Sequence, residues 1–266
     1  MQFDDNGCPT SKDIVYSPFK LWTSIWPDGS SGLCWNYASC VFTQADESRK
    51  QQFAATALVM GLLPVALLEN TWPDNREVAI TGKLPVAVEI LVRTLGLKPV
   101  DGHSASSQAK PSASAIATWA SNAKPNIVIL VTAANSLALC ACYAVLVILE
   151  YTSKRSAIGC TYFATVLCWY IAALVPASTH TLLSRISSGQ GVEEFWLSQI
   201  VRAFHSGAGV LLFSSIMAVT PIELFTWVVA SFVTSLCGRL LALFICILRE
   251  KIRPNGTTRY SQVTHI

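Results

Sequence analysis

Between Glu223 and Leu248 the chain reads E-L-F-T-W-V-V-A-S-F-V-T-S-L-C-G-R-L-L-A-L-F-I-C-I-L, with Arg239 the one charge inside it. At 1.5 Å per residue, a helix of about 25 residues crosses the roughly 30 Å hydrocarbon core of a bilayer. The run therefore predicts a membrane span. Thr226, Ala230, Thr234, Gly238 and Ala242 recur every four residues and lay a ridge of small side chains along one side, where a second helix backbone can approach closely. Phe225, Val229, Phe232, Leu236, Leu240, Leu243 and Ile247 take other sides and are expected against lipid or greasy neighbours, with Leu243 toward lipid. Arg239 stands one residue past the ridge and either turns into the bundle or snorkels to the nearer headgroups.

The rest of the chain agrees in class. Only 13% of residues are charged, whereas about 25% is usual in a soluble domain, so a polytopic all-α membrane protein is expected. The net charge of +3 is small and the basic residues form no dense run, which excludes a nucleic-acid partner on electrostatic grounds. Of nine cysteines, Cys140, Cys142, Cys160, Cys168, Cys237 and Cys246 lie in apolar segments, where cysteine acts as a small hydrophobe. There is no C-x-x-C spacing, and neither a metal nor a cofactor is expected.

Residues 1–52 read as a polar N-terminal region with a loop at Trp26-Pro27-Asp28-Gly29, and the first thirty residues show no signal-peptide pattern. Cys34 and Cys40 are the candidate disulfide pair if this region meets an oxidising compartment; in the cytosol they would stay thiols. Phe53 to Leu68 is a predicted first span, short and containing Gly61 and Pro64, with a re-entrant helix as the alternative. Residues 70–125 read as a loop with an amphipathic interfacial helix between Val78 and Val100. Leu84, Val88, Leu91, Val92 and Leu95 share its face, and Glu89 and Arg93 stand four apart. Residues 101–114, with His103, read as a flexible linker.

Residues 126–248 are expected to hold four spans: Asn126 to Leu149, Ala157 to Ala177, about Ala203 or Gly207 to Thr220, and the run described first. Ala134, Ala138 and Cys142, with Asn135 beside them, form a second small-residue ridge. Ser178 to Ser206 reads as a polar connection, with Glu193 and Glu194 opening a helix and Trp196 at the interface. The tail, 249–266, carries Arg249, Lys251, Arg253 and Arg259 and is expected in the cytosol. About five spans then put the N-terminus in the lumen or outside the cell, in the endoplasmic reticulum or plasma membrane. That leaves Arg49, Lys50, Lys154 and Arg155 on the non-cytosolic side; four spans would reduce this conflict.

The run Cys34…Cys40, then Arg49-Lys50-Gln51-Gln52-Phe53-Ala54-Ala55-Thr56-Ala57-Leu58-Val59-Met60-Gly61-Leu62-Leu63-Pro64, with Trp72-Pro73, Leu84-Pro85, Glu89 and Leu95-Gly96-Leu97-Lys98-Pro99, resembles a family of uncharacterised multi-pass membrane proteins of filamentous fungi. The resemblance covers about residues 34–99. It implies a fungal source and a membrane location, and transfers no catalytic residue.

No H-E-x-x-H, G-x-S-x-G, P-loop or dinucleotide fingerprint occurs. An accessory or scaffold protein of the membrane is the expected function. The alternative is a small-molecule enzyme of fungal secondary metabolism such as a terpene cyclase, in which a membrane-embedded carboxylic acid with a raised pKa protonates an apolar substrate. A small-molecule carrier is a further alternative, although no internal repeat supports it. The candidate acids are Glu69, Glu150 and Glu223, all at span ends. His180 and His205, with Arg202, are a candidate polar cluster at one membrane face, and Arg239 is a candidate because an intramembrane charge usually has a role. Expected partners are the lipid bilayer and an apolar small molecule; the oligomeric state is not readable from the residues.

Overall fold

A computed structural model describes residues 8, 18–19, 32–69, 77–80, 84–101, 115–155, 164–186, 195–217 and 220–252. In chain order the elements are α1 (Gly32–Gln44), α2 (Glu47–Glu69), β1 (Glu77–Ile80), α3 (Val86–Thr94), β2 (Lys98–Asp101), α4 (Ala115–Asn122), α5 (Pro125–Thr152), β3 (Lys154–Arg155), α6 (Thr165–Ala172), α7 (Leu174–Ile186), α8 (Phe195–Ser214), β4 (Ile216–Met217) and α9 (Pro221–Ile252). The fold is mostly helical. The strands form two small two-stranded pieces: β1 pairs parallel with β2, and β3 antiparallel with β4.

Four helical segments among the described residues are long and apolar enough to cross a membrane: Glu47–Leu68, Pro125–Thr152, Thr165–Arg185 and Pro221–Ile252. Local sequence explains their starts. Pro125 and Pro221 occupy first-turn positions, where the missing N–H costs nothing. Thr220 accepts the Glu223 backbone N–H through Oγ1 (3.3 Å), so Thr220-Pro-Ile-Glu223 has the spacing of a capping box.

α5 and α9 run antiparallel along their length. Trp227 Nε1, in the second turn of α9, donates to Ser153 Oγ just past the end of α5 (2.9 Å). Asn135 Nδ2 donates to the Cys237 carbonyl midway (3.0 Å), and Lys251 Nζ donates to the Ala123 carbonyl just before α5. We call the end where α9 begins the top and the end where it finishes the bottom. α6 and α7 descend, because Glu150 at the top meets the start of α6 and Arg185 near the end of α7 meets Glu89 in α3, which packs against the lower half of α9. The chain must therefore climb again before α9. α8 makes that return, with Trp169 of α6 against His205 and Gly209 and with Gly61 of α2 near Val210 and Ser214.

The core lies where these helices meet: Met60, Leu63 and Leu67 from α2, Leu146 and Leu149 from α5, Val166 and Trp169 from α6, Phe213 from α8, Ile216 and Trp227. Below it, Val92 of α3 packs with Leu84, Leu97, Ala242 and Cys246, and Ala120 of α4 packs with Val128, Phe244 and Ile247. The ridge on α9 faces inward from Thr234 through Gly238 to Ala242, all buried. Phe225, Val229, Phe232 and Leu236 are exposed as expected for a lipid face. Leu240, Leu243 and Ile247 are not: they fill the lower clusters, because α3 and α4 cover this part of α9.

Several expected boundaries move. The amphipathic helix is confined to Val86–Thr94, since the segments on either side pair as β1 and β2. The third long segment, expected over Ala157 to Ala177, runs instead from Thr165 to Arg185, with Pro176 in the first turn of α7 after a one-residue interruption at Ala173. Ser178 to Ser206 is no polar connection throughout, because α7 extends to Ile186 and α8 begins at Phe195. The hydroxyls of Ser178, Thr179 and Ser184 bond carbonyls one turn back, at Val175 and Thr181, and so satisfy themselves without ending the helix. The span expected up to Thr220 ends at Ser214, where the chain leaves the helix to pair Met217 with Lys154. Residues 102–114, including His103, and the tail from 253 lie outside the described residues.

Cys40 is bonded to Cys8, so the expected Cys34–Cys40 pairing gives way. Both of the latter lie on α1. Six residues of helix separate their Cα atoms by about 9 Å along the axis, beyond what a disulfide spans.

Gly209 is the tightest point of the bundle. A Cβ there would stand 2.6 Å from Trp169 Nε1, 2.7 Å from Trp169 Cε2 and 2.9 Å from Pro64 Cβ, so only glycine lets α2, α6 and α8 meet. Gly207, one half-turn away, has nothing within 4 Å. Gly209→Ala is expected to cost about 1 to 3 kcal/mol by overpacking against two rigid rings. Gly207→Ala should be neutral or stabilise by up to about 1 kcal/mol through helix propensity. Thermal melting of both variants in detergent checks this, and equal melting temperatures would contradict the packing described.

Candidate functional site

Glu150, in the last turn of α5, is fully buried. One oxygen, Oε1, accepts the Thr165 backbone N–H (2.8 Å) and the Thr165 hydroxyl; the other, Oε2, accepts the Val166 N–H (3.0 Å). The residue at the helix cap itself is Ala164, which has no side-chain acceptor. Glu150 thus supplies, from across the hairpin, the carboxylate that the start of α6 lacks, where unpaired N–H groups and the helix dipole favour negative charge. Its chemistry is that of a helix anchor.

Glu223 is also fully buried, in the first turn of α9 and one turn before the equally buried Trp227. Ser153, which takes the Trp227 N–H, and Lys154 beside it are buried at the same top end. Reasoning from span ends found this acid. The capping-box spacing from Thr220, a signal present in the sequence, adds a local structural role that was missed. The side chain of Glu69 lies outside the described residues.

His180 and His205 do not form one cluster with Arg202. His205 stacks face to face on Trp169, with ring centroids 5.0 Å apart and planes 2° from parallel, while Trp169 Nε1 donates to the His205 carbonyl (3.0 Å). The missing side chain at Gly209 is what lets the indole reach that carbonyl. Tyr170 and Phe213 pack edge-on against Trp169, so an aromatic group occupies the centre of the bundle. His180 instead lies on α7 in the field of Arg93, Lys98 and Glu89. Arg202 is exposed near the bottom of α8.

Glu89 joins two arginines at the bottom. Its Oε1 accepts from Arg93 Nε (3.2 Å) and Nη2 (3.1 Å), its Oε2 from Arg185 Nη2 (2.9 Å), and Arg185 also donates to the Leu84 carbonyl. The pairing of Glu89 with Arg93 on one helix face was legible from their spacing; the arrival of Arg185, 96 residues later in the chain, was not.

Arg239 turns inward. Its Nη2 donates to the Leu67 carbonyl (3.3 Å), one of the last carbonyls of α2, which have no partner within their own helix. Gly96, at φ +93°, leaves room for it: a Cβ there would stand 3.4 Å from Arg239 Nε. Among the described residues no three His, Cys, Asp or Glu side chains gather as a metal site requires. An open, apolar furrow of about 330 Å³ runs between α2 and α8, lined by Ala54, Ala57, Leu58, Gly61, Leu62, Val210 and Ser214.

No protein-family model matches the chain, and no curated protein and no solved structure does either. What the residues do must therefore be argued from their geometry.

If Glu150 anchors α6, Glu150→Ala should lower stability by about 1.5 to 3 kcal/mol, the range for a hydrogen bond to a charged group, and Glu150→Gln by less. Adding Ala164→Asp to Glu150→Ala should recover part of the loss, because a carboxylate at the cap position reaches the same N–H groups. Thermal melts of the four proteins check the order, and no recovery in the double variant would contradict it.

Proposed function

We propose that the chain is an integral membrane protein that crosses the bilayer five times and acts as a non-catalytic accessory or scaffold protein. The observation that carries the second half is the use made of polar groups inside the bundle. Asn135, Glu150, Trp169 and Arg239 each bond the backbone of another helix. Where lipid gives helices no hydrophobic reason to associate, such bonds and close packing hold them together. Of the candidate charges, Glu150 and Arg239 are thereby engaged in joints, and the furrow between α2 and α8 is apolar and open to the surroundings of the bundle.

The fifth crossing is α8. Its polar residues Ser198, Gln199 and Arg202 gather near its bottom end, His205 turns in to Trp169, and Phe204 and Leu211 face outward at 75% and 63% exposure. Exposed Trp119 and Trp196 lie at the bottom, suiting a headgroup-level aromatic belt. Basic residues also favour that end: Arg93, Lys98, Lys124, Arg185, Arg202, Arg249 and Lys251 lie there, against Arg49, Lys50, Lys154 and Arg155 at the top. Of the latter, Lys154 is buried, which weakens its weight as a loop charge. The bottom is thus the cytosolic side by the positive-inside rule, and the Cys8–Cys40 bond at the top suits an oxidising lumen or exterior. A fungal origin rests on the wording of residues 34–99 alone.

A second reading is favoured by the full burial of Glu223 beside Trp227: an acid in aromatic surroundings that protonates an apolar substrate, as a membrane terpene cyclase would. For either a carrier or an enzyme, the furrow between α2 and α8 is where an apolar small molecule would first lodge.

Two experiments test these readings. A glycosylation acceptor fused ahead of Met1 should be modified and one fused after Ile266 should not; equal treatment of both ends means an even number of crossings and removes α8 from the count. For function, Glu223→Gln that accumulates normally should complement whatever defect loss of the gene causes, and so should Ala54→Leu, which fills the furrow from an exposed position. Failure of Glu223→Gln alone would replace the scaffold with the acid catalyst.

A further inference from the structure

At the bottom of the bundle the Glu89 carboxylate holds two arginines from different helices, Arg93 of α3 and Arg185 of α7. Arg93 uses Nε and Nη2 on Glu89, and among the described residues its Nη1 meets no acceptor. His180, one helical turn and a half above Arg185 on α7, lies in the field of Arg93, and its Nδ1 is buried without a hydrogen-bond partner. Lys98, engaged elsewhere, adds positive charge on the same side. Glu89 accepts from both arginines, and both its oxygens are taken by guanidinium donors.

The group sits at the end of a membrane-length helix, Thr165–Arg185, and therefore at headgroup level. On the outer side of α7, Val175 and Leu182 are more than half or half exposed and fall seven apart, on the face that leads to Arg185 three residues further on. A straight apolar track thus ends at a guanidinium. On α3, Leu91 is exposed beside it.

We infer that Arg93 and Arg185 form a binding site for the phosphate of an anionic phospholipid headgroup, with an acyl chain along Leu182 and Val175. Guanidinium recognises phosphate through its N–H donors, and Glu89 positions Arg93 through Nε and Nη2 and Arg185 through Nη2. Basic pockets between spans on the cytosolic side are suited to anionic headgroups, each cation adding about 1 kcal/mol near the surface. Free phosphate shares this chemistry and lacks the track. The site rests on the bilayer placement proposed above, which the glycosylation experiment tests separately.

Native mass spectrometry of the full chain in detergent, with phosphatidic acid or phosphatidylcholine of the same acyl chains, decides it. The wild type should retain phosphatidic acid in preference, and Arg93→Gln should lower that preference about fivefold, the equivalent of one surface cation. Lys50→Gln, at the top, should leave it unchanged. Should Arg93→Gln fail to accumulate, Arg93→Lys, which keeps the charge and gives up the planar fork, is expected to lose part of the preference. A wild type without preference, or a preference that neither Arg93 variant moves, overturns the site. If inorganic phosphate displaces phosphatidic acid completely at equal concentration, the acyl track contributes nothing and the lipid assignment fails.

Discussion

The bundle depends on one missing side chain. At Gly209 the indole of Trp169 and the ring of Pro64 both lie where any other residue would carry its Cβ. Helices in hydrocarbon gain nothing from hiding apolar surface, since the lipid tails are as apolar as they are; what holds them is contact distance and the few hydrogen bonds that contact permits. At Gly209 the two coincide. Close approach brings Trp169 Nε1 to the His205 carbonyl, and the same approach sets His205 flat on the indole and Phe213 at its edge. α2, α6 and α8 are positioned by this contact, and α5 joins them through the shared core around Met60, Leu146 and Trp169.

The other joints follow the same economy, each using a polar side chain where a helix has backbone groups to satisfy. Glu150 meets the open N–H groups of α6, Arg239 meets a terminal carbonyl of α2, and Lys251 meets the carbonyl at the α4–α5 junction. Acids appear at a helix start and cations at helix ends, which is the sense the helix dipole favours. Intramembrane charges default to functional suspects because they are expensive to bury. Here the expense is offset by backbone groups that would otherwise stay unpaired, so a charge in a span need not imply a substrate.

How much of this was legible depends on whether the signal is local. The run from Glu223 to Leu248 needed only its own composition, and it is helical throughout. The inward ridge of Thr234, Gly238 and Ala242 was likewise readable from spacing. Leu243 was placed toward lipid, whereas its surroundings are set by α3 and α4, elements that a pattern internal to α9 cannot reveal. The disulfide was misjudged for a local reason: had α1 been recognised as a helix, six residues of rise would have excluded Cys34–Cys40. α8 is the opposite case. Its polar residues dilute its hydropathy, so it is not among the four membrane-length apolar segments, yet His205 and the glycine at 209 are the places where it is joined to α6, and that part of its composition serves the packing. Among candidate site residues, Glu150 and Arg239 were found by their cost and could be interpreted only once the backbone they serve was in view.

The two ends of the bundle differ in a way that bears on how it works. At the top, Ser153, Lys154 and Glu223 are buried, β3 pairs with β4, and the disulfide ties Cys8 to α1, which packs against β3. These contacts draw on residues far apart in the chain, so the top is held together by many separate constraints. At the bottom, α3 and α4 lie along the lower half of α9, and Arg185, Arg202 and Arg249 are exposed. Arg185 bridges α7 to α3 through Glu89, an ion pair with one partner over a third exposed, where solvent screens the attraction and the net gain is small. Parting the top would break the backbone pairing of Lys154 with Met217, whereas at the bottom the Arg185 side chain already meets solvent. The asymmetry assigns the top to holding the bundle and leaves the bottom as the face that can respond to its surroundings.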